Sequence, residues 1–350
     1  MKIAIALFFK APLGGLHDNI YDSALNLKKN GHEVTVFSPP GPFQDILKSS
    51  GILVASLATP ITDQMNFDLI HAHPGESRIF AQQLAKTLKI PMFITFHGRW
   101  IDDIASYYQN CTKIFAVSQA VQNLIISSAP QAMDRTEILP NAVDLEQLAT
   151  PAAPRSDAGP MRVMVASRFD VDKGPLIDTL KGVWQEQARR GIHDILWEIA
   201  GDGTRHSELV NSSLSAFGHG TQVRFHGWLD KPELNYLHET CHVAVAPGRS
   251  AMAAMAKGLP VIPLGSAGCF GLATKDRLSE AAYCNFGGYG LTNEASPVQI
   301  IEDLVWLSSA SSARDELGRA SQVFILDNFS LSQHHKRLED FYISGLRDYA

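Results

Sequence analysis

Short apolar runs alternate with amphipathic stretches along almost the entire chain. The first half predicts a strand over 2–9, Lys2-Ile-Ala-Ile-Ala-Leu-Phe-Phe9, a Gly14-Gly15 loop, a helix at about 17–30 and a second strand within Gly31 to Ser38. Further apolar runs follow at Asp68 to His73, Met92 to His97, Lys113 to Ser118 and Glu137 to Pro140, several of them separated by helical patterns. Continuous apolar strands joined through helices predict a parallel sheet covered on both faces.

The pattern breaks at Thr150-Pro-Ala-Ala-Pro-Arg-Ser-Asp-Ala-Gly-Pro160, a stretch of proline and small residues without periodicity that reads as a linker. It then restarts with strands at 161–166, 196–200, 223–226, 242–246 and 260–264. Helices are predicted near 174–190, 205–216, 231–239 and 251–257, and the chain closes with helical patterns near 297–309, 311–328 and 331–348. Two doubly wound, Rossmann-like α/β domains result, 1–150 and 151–330, with the last helix, about 331–350, expected to pack back on the first. Ligands of such sheets bind beyond the C-terminal ends of the strands, so both halves are expected to point their loop chemistry into an inter-domain cleft.

A chain of 350 residues suits two such domains, and 45% hydrophobic with 19% charged residues is a soluble composition. The net charge of −6 offers no global attraction to nucleic acid or to an anionic membrane, so any phosphate binding must be local. Cys111, Cys241, Cys269 and Cys284 are widely spaced and read as buried or free thiols of a reducing compartment. With no bilayer-length apolar stretch, the expected location is the cytoplasm. Peripheral contact with the inner face of the membrane would use Lys28, Lys29, Lys48, Lys86 and Lys89, which read more simply as solvated helix ends.

Candidate chemistry sits in the loops. Gly14 and Gly15 let backbone approach a phosphate or sugar, or form a plain turn. Ser167-Arg-Phe-Asp-Val-Asp-Lys-Gly174 places Arg168 and Lys173 on one loop beside a helix start, where two fixed cations could neutralise a diphosphate; alternatively they pair with Asp170 and Asp172. His71 and His73 share one side of a strand end and, with His97, read as a weakly supported zinc candidate or as satisfied structural histidines. His97 opens a flexible loop, Thr95-Phe-His-Gly-Arg99, and could donate to a sugar hydroxyl. No ligand spacing supports a metal. Gly201-Asp202-Gly203 caps a strand, and Asn285-Phe-Gly-Gly-Tyr-Gly290 reads as a lid or a surface loop. Pro247-Gly248-Arg249-Ser250 supplies a turn and a cap, Ser250, before helix 251–257, whose N-terminus would hold an anion.

The order of these motifs resembles the retaining glycosyltransferases of family 4, which have the GT-B fold. The matching run includes Gly14-Gly15, Gly31-His32-Glu33-Val34, Asp68 to His73, Thr95 to Gly98, Leu139 to Asp144, Ser167-Arg168 through Lys173-Gly174, Gly201 to Gly203, Phe225-His226-Gly227 and Ala254 to Val261. The resemblance implies a nucleotide-diphosphate sugar as donor, with Arg168 and Lys173 on the pyrophosphate. It implies Gly14 and Gly15 near the phosphates, His97 on the donor sugar, and Asn141, Gly201, Asp202, Gly203, Gly227, Gly248, Arg249, Ser250 and Ala253 around the donor. His73 and Arg99 fall on the side of the acceptor, a saccharide or lipid-linked saccharide, as in surface polysaccharide synthesis. No cofactor or metal is implied, and no nucleic acid.

Two departures from the family pattern stand out. The loop from Pro247 to Ala253 is shorter than usual and lacks the first of two acidic residues; Ala253 replaces the second, a glutamate that accepts hydrogen bonds from the nucleotide ribose. Loss of that carboxylate should weaken donor binding by roughly 1.5–3 kcal/mol. Ala253 is then an engineered replacement in an otherwise active enzyme, or a mark of divergence toward a silent nucleotide-sugar or glycan-binding module. A nucleotide-sugar epimerase or phosphorylase of the same architecture is the third alternative.

Overall fold

The structure, a computed structural model, describes residues 1–9, 14–144, 158–291 and 294–349. Most of the 150–160 linker therefore lies outside the described residues. The chain divides into two compact units, Met1–Asn141 with Leu331–Ala350, and Ala142–Ser330.

The first unit holds strands β1 (Lys2–Ala6), β2 (Glu33–Phe37), β3 (Leu53–Ala55), β4 (Leu69–Ala72), β5 (Met92–Phe96), β6 (Lys113–Ala116) and β7 (Thr136–Ile138). They form one sheet in the order β3-β2-β1-β4-β5-β6-β7, and every pair in it is parallel. β4 and β5 are buried at every residue, as strands covered on both faces must be. Alternation along β1 shows how the faces divide. Ile3 and Ile5 join Ile20 and Leu27 of helix α1 (Gly15–Lys29), whereas Ala4 and Ala6 join Phe80 and Leu84 of helix α3 (Ser77–Leu88) on the opposite face. Helix α2 (Pro42–Ser49) precedes β3, and α4 (Gln119–Ser128) starts on Ser118, whose side chain accepts from the Val121 N–H.

The second unit holds β8 (Met161–Ala166), β9 (Ile195–Ala200), β10 (Val223–Gly227), β11 (Val243–Ala246), β12 (Val261–Gly265) and the short β13 (Gly268–Cys269), in the order β10-β9-β8-β11-β12-β13. All pairs are parallel except β12 with β13. Its helices are α5 (Gly174–Arg189), α6 (His206–Phe217), α7 (Lys231–Thr240), α8 (Gly248–Ala256), α9 (Leu278–Tyr283), α10 (Pro297–Ser309) and α11 (Ser311–Asn328). Val163 and Val165 of β8 pack with Trp184 and Trp197, and Met164 packs with Met252 and Met255 of α8, so this sheet too is covered twice.

The last helix, α12 (Leu331–Tyr349), lies on the α1 face of the first sheet, where Leu338 and Tyr342 are buried with Phe93 and Phe115. All four cysteines are buried and none is in a disulfide, and burial pushes the thiols of Cys111 and Cys269 up to about 12. Short elements escaped the sequence pattern: β3, β13 and α9 are too brief to show a period. Because α12 closes the apolar face of β4 to β6, Leu338→Ala should cost about 2–4 kcal/mol. Truncation after Ser330 should abolish cooperative unfolding of the first unit; an unchanged denaturant midpoint in either variant would contradict this packing.

Candidate functional site

Strand order decides where ligand chemistry can collect in each unit. The chain runs outward from β1 to β3 and returns beside β1 as β4, so the order reverses between β1 and β4. In the second sheet it runs from β8 to β10 and returns beside β8 as β11. Loops leaving the carboxyl ends of the strands that flank such a reversal cannot cover each other, and ligands of open α/β sheets bind there. Gly14 and His73 follow the flanking strands of the first unit. Arg168 and Gly248 follow those of the second.

The loop after β8 carries both expected cations, and both have carboxylate partners. Arg168 Nη1 is 2.6 Å from Asp170 Oδ2, Arg168 Nη2 is 3.3 Å from Asp172 Oδ2, and Lys173 Nζ is 3.7 Å from Asp172. The ion-paired alternative is therefore the arrangement found in this loop. Asp170 does more than neutralise Arg168: its other oxygen accepts the Thr204 backbone N–H at 3.0 Å. That bond, and then the Arg168 guanidinium, hold its carboxyl below the usual range. Asp170 thus ties the loop after β8 to the loop after β9. Pairs as exposed as these, with the Arg168 side chain about one-third exposed, are worth roughly 0–1 kcal/mol and exchange readily for a better anion.

Gly201 and Gly203 lie against that same loop. A Cβ at Gly201, where φ is +123°, would run into the Ser167 carbonyl oxygen, and one at Gly203 would stand 2.5 Å from the Phe169 backbone. Their lack of a side chain is required by packing between the two loops, independently of any ligand. The Asp202 backbone carbonyl accepts the Phe169 N–H, and its side chain accepts the Gly203 N–H at 2.7 Å. Gly227 ends β10 with φ +68° and accepts the Gly201 N–H. These residues form one hydrogen-bonded rim at the carboxyl edge.

The start of α8 differs from expectation. The helix begins at Gly248, so Ser250 lies inside the first turn, and no side chain caps the helix. The Gly248 N–H donates to the Phe286 carbonyl at 3.2 Å, and the Ser250 and Ala251 N–H groups both donate to the Pro247 carbonyl. Much of the expected anion seat is therefore occupied from within. The Asn285 to Gly290 segment is neither lid nor surface loop: Phe286 is fully buried against Phe329, and the segment's backbone packs on Gly265 and Gly268. Asn285 and Phe286 both take left-handed backbone, φ +52° and +51°, a cost of order 1 kcal/mol each that the buried ring offsets. At the other end, Gly258 with φ +73° closes α8 in a Schellman arrangement, its N–H on Met255 O and the Leu259 N–H on Ala254 O. Half-buried Ala253 lies between these ends.

In the first unit, Gly14 precedes α1 in extended backbone, with φ −152° and no side-chain cap; Ala11 to Leu13 lie outside the described residues. His73 is buried just beyond β4, and its Nδ1 is 2.8 Å from His97 Nε2. His71 stacks on His73 with ring centroids 4.7 Å apart and bonds Tyr342 Oη at 2.6 Å and Thr95 Oγ1 at 2.7 Å. The cavity that these rings line with Asn19, Ser23 and His334 measures about 10 Å³, room for one water-sized group and not for a nucleotide. Asn141 is buried at the end of this unit. Among the described residues no group of three or more His, Cys, Asp or Glu is arranged to hold a metal ion.

The loop expected to be flexible is anchored by a residue that sequence reasoning missed. Arg78 of α3, only 3% exposed at its side chain, pairs with Asp102 at 2.6 Å, donates to the Thr95 carbonyl and stacks 3.7 Å from the Phe96 ring centre. Tyr107 donates to Asp102 from the other side, and burial raises its phenol pKa. Arg99 and Trp100 stand exposed on the loop so held, guanidinium over indole at 5.3 Å. A lone arginine in an amphipathic helix gives no sign of burial, and an Arg–Asp pair 24 residues apart gives none of contact.

Residues 13–147 match the family model described as Glycosyltransferase Family 4. The whole chain has the GT-B fold, and the similar proteins support a glycosyltransferase. YqgM, an uncharacterised glycosyltransferase of Bacillus subtilis (strain 168), is 25% identical over 350 residues, spanning 93% of this chain and 90% of that protein. A glycosyltransferase from Rickettsia africae ESF-5 superposes with a TM-score of 0.76 at 16% identity, over 99% of this chain and 98% of that one. Alr3699/HepE of Anabaena, in complex with UDP and glucose, does so with a TM-score of 0.72 at 18% identity, over 98% and 100% of the two chains. No helix among the described residues is long and apolar enough to cross a membrane.

Two outcomes follow from this geometry. Asp102→Ala leaves the Arg78 guanidinium buried without its carboxylate and should cost about 2–3 kcal/mol by denaturant unfolding; a loss under about 0.5 kcal/mol would show the pair to be incidental. Burial, then the charge of His334, lowers the His71 pKa from 6.5 to about 3, and burial likewise holds His73 far below 6.5. The unfolded chain therefore takes up protons that the folded chain refuses, and stability should fall as pH drops from about 6.5 toward 3. Thermal midpoints across that window should show the fall, shallower in His71→Gln; equal slopes in the two proteins would contradict the buried neutral imidazole.

Proposed function

We propose that the protein is a retaining glycosyltransferase that moves a sugar from a nucleotide-diphosphate donor to a saccharide or lipid-linked saccharide, without a metal ion, in the assembly of a cell-surface polysaccharide or glycoconjugate. The carrying observation is the placement of Arg168 and Lys173 on the loop after β8, at the reversal of strand order in the second sheet. Support comes from the family match over 13–147 and from a structural neighbour in complex with UDP and glucose.

In this reading the two cations exchange Asp170 and Asp172 for diphosphate oxygens. Each weak exposed pair gives way to charge-assisted bonds worth about 1.5–3 kcal/mol. The bond from the anomeric carbon to the diphosphate oxygen breaks, the fixed positive charge stabilises the departing anion, and an acceptor hydroxyl bonds to the same face. Its proton passes to the leaving phosphate oxygen. His97 contacts the donor sugar, Gly14 and Gly15 approach the phosphates, and His73 and Arg99 lie on the acceptor side. Asn141, Gly201, Asp202, Gly203, Gly227, Gly248, Arg249, Ser250 and Ala253 form the donor surround. In this reading the enzyme works in the cytoplasm, and a lipid-linked acceptor would be met at the inner face of the membrane.

One observation favours a second reading, a nucleotide-sugar-binding module without turnover: Ala253 offers the ribose no acceptor. Calorimetric titration with UDP-glucose separates the two. Arg168→Ala should weaken binding at least about 10-fold, and Ala253→Glu should strengthen it by roughly 10- to 150-fold. Undiminished affinity in Arg168→Ala, or no saturable binding of UDP-, GDP-, ADP- or dTDP-sugars by the parent and Ala253→Glu alike, would refute donor binding. Binding without sugar transfer in Ala253→Glu would favour the silent module.

A further inference from the structure

His97 does not stand alone at the end of β5. Its Nε2 is 2.8 Å from His73 Nδ1, with the two rings inclined by 31°. A hydrogen bond between two imidazoles needs one nitrogen protonated and the other bare, so the proton positions on the two rings are linked. His73 in turn stacks on His71, whose two nitrogens bond Tyr342 Oη and Thr95 Oγ1.

This network is buried and neutral. Tyr342 is wholly buried on α12, burial keeps its phenol protonated, and its Oη lies 2.6 Å from His71 Nδ1. His71, neutral because it is buried, has one protonated and one bare ring nitrogen, and both are engaged, with Tyr342 and with Thr95. The Thr95 carbonyl accepts from Arg78. Burial, and the facing His71, His97, Arg78 and His17, all oppose a second proton on His73. His73 is consequently a neutral ring held on a fixed seat, with one nitrogen addressed to His97.

We propose that His73 is a positioning residue: seated on the His71–Tyr342–Thr95 network, it sets the ring orientation and the tautomer that His97 presents to the donor sugar. The inference deepens the role proposed above for His97 and rests on that reading. It moves His73 from the acceptor side to the support of the donor contact. It also gives α12, the most distant element in sequence, a part in the site through Tyr342.

The test is a pair of polar variants in the full-length protein, followed by two-bond proton–nitrogen spectra of its ¹⁵N-labelled histidines, which report the nitrogen that carries each ring's proton. His73→Asn keeps an amide near the place of Nδ1, whereas His73→Gln reaches past it toward the place of Nε2. The parent should show one tautomer at His97. His73→Gln should show the averaged signature of an unrestrained imidazole, with UDP release from UDP-glucose lowered about 10- to 100-fold in kcat and KM changed less than about 3-fold. His73→Asn should restore both. An unchanged His97 signature in His73→Gln, or equal changes in the two variants, would overturn the assignment. Failure of the parent to bind any nucleotide sugar would sink the donor reading while the spectra still decided the role of His73.

Discussion

A buried parallel strand has only one way to hand its chain onward, and that constraint underlies every feature of this molecule. With both faces covered by helices, each strand must release its loop at the same edge. Where the strand order reverses, two neighbouring loops turn apart. β1 with β4 and β8 with β11 are those places. Arg168, Lys173, Gly248, Gly14, His73 and, one strand further, His97 stand where they do because of the order in which apolar strands were added to a sheet. The polar chemistry is attached to positions that hydrophobic burial had already decided.

Electrostatics at the second edge is arranged in two tiers. Asp170 holds the Thr204 N–H with one oxygen and Arg168 with the other, so the carboxylate that offsets the guanidinium also aligns the rim beside it. Arg168 is thereby held between two carboxylates of its own loop. In the first unit the guanidinium that carries the charge is itself buried. Arg78, Asp102 and Tyr107 hold the loop after β5, and the stacked imidazoles stay neutral because water is excluded from them.

Strand periodicity and helix punctuation made most of this architecture legible in the chain. The apolar runs at 68–73, 92–97, 113–118 and 242–246 enclose β4, β5, β6 and β11, and Gly258 ends α8 as its position implied. Two such alternations in series implied two doubly wound domains, and the resemblance of the loop motifs to family 4 glycosyltransferases implied the GT-B fold. Harder to read were contacts whose partners are remote in sequence. Arg78 with Asp102 and His71 with Tyr342 join helix and strand residues with nothing local to signal them. The Asn285 to Gly290 segment misled for a different reason: glycine richness suggests mobility, yet these glycines permit backbone to press on Gly265 and Gly268, and Phe286 is the anchor. Gly201 and Gly203 carry a similar lesson, since their loop is close-packed against the protein itself.

The bond from Gly248 N–H to the Phe286 carbonyl makes the opening of α8 a joint product of two segments far apart along the chain. A relative's 247–257 stretch grafted here would import the helix without the clasp that sets its first turn. Evolution or design at this helix therefore operates on a composite module, whose second half is the Asn285 to Gly290 segment that supplies the Phe286 carbonyl.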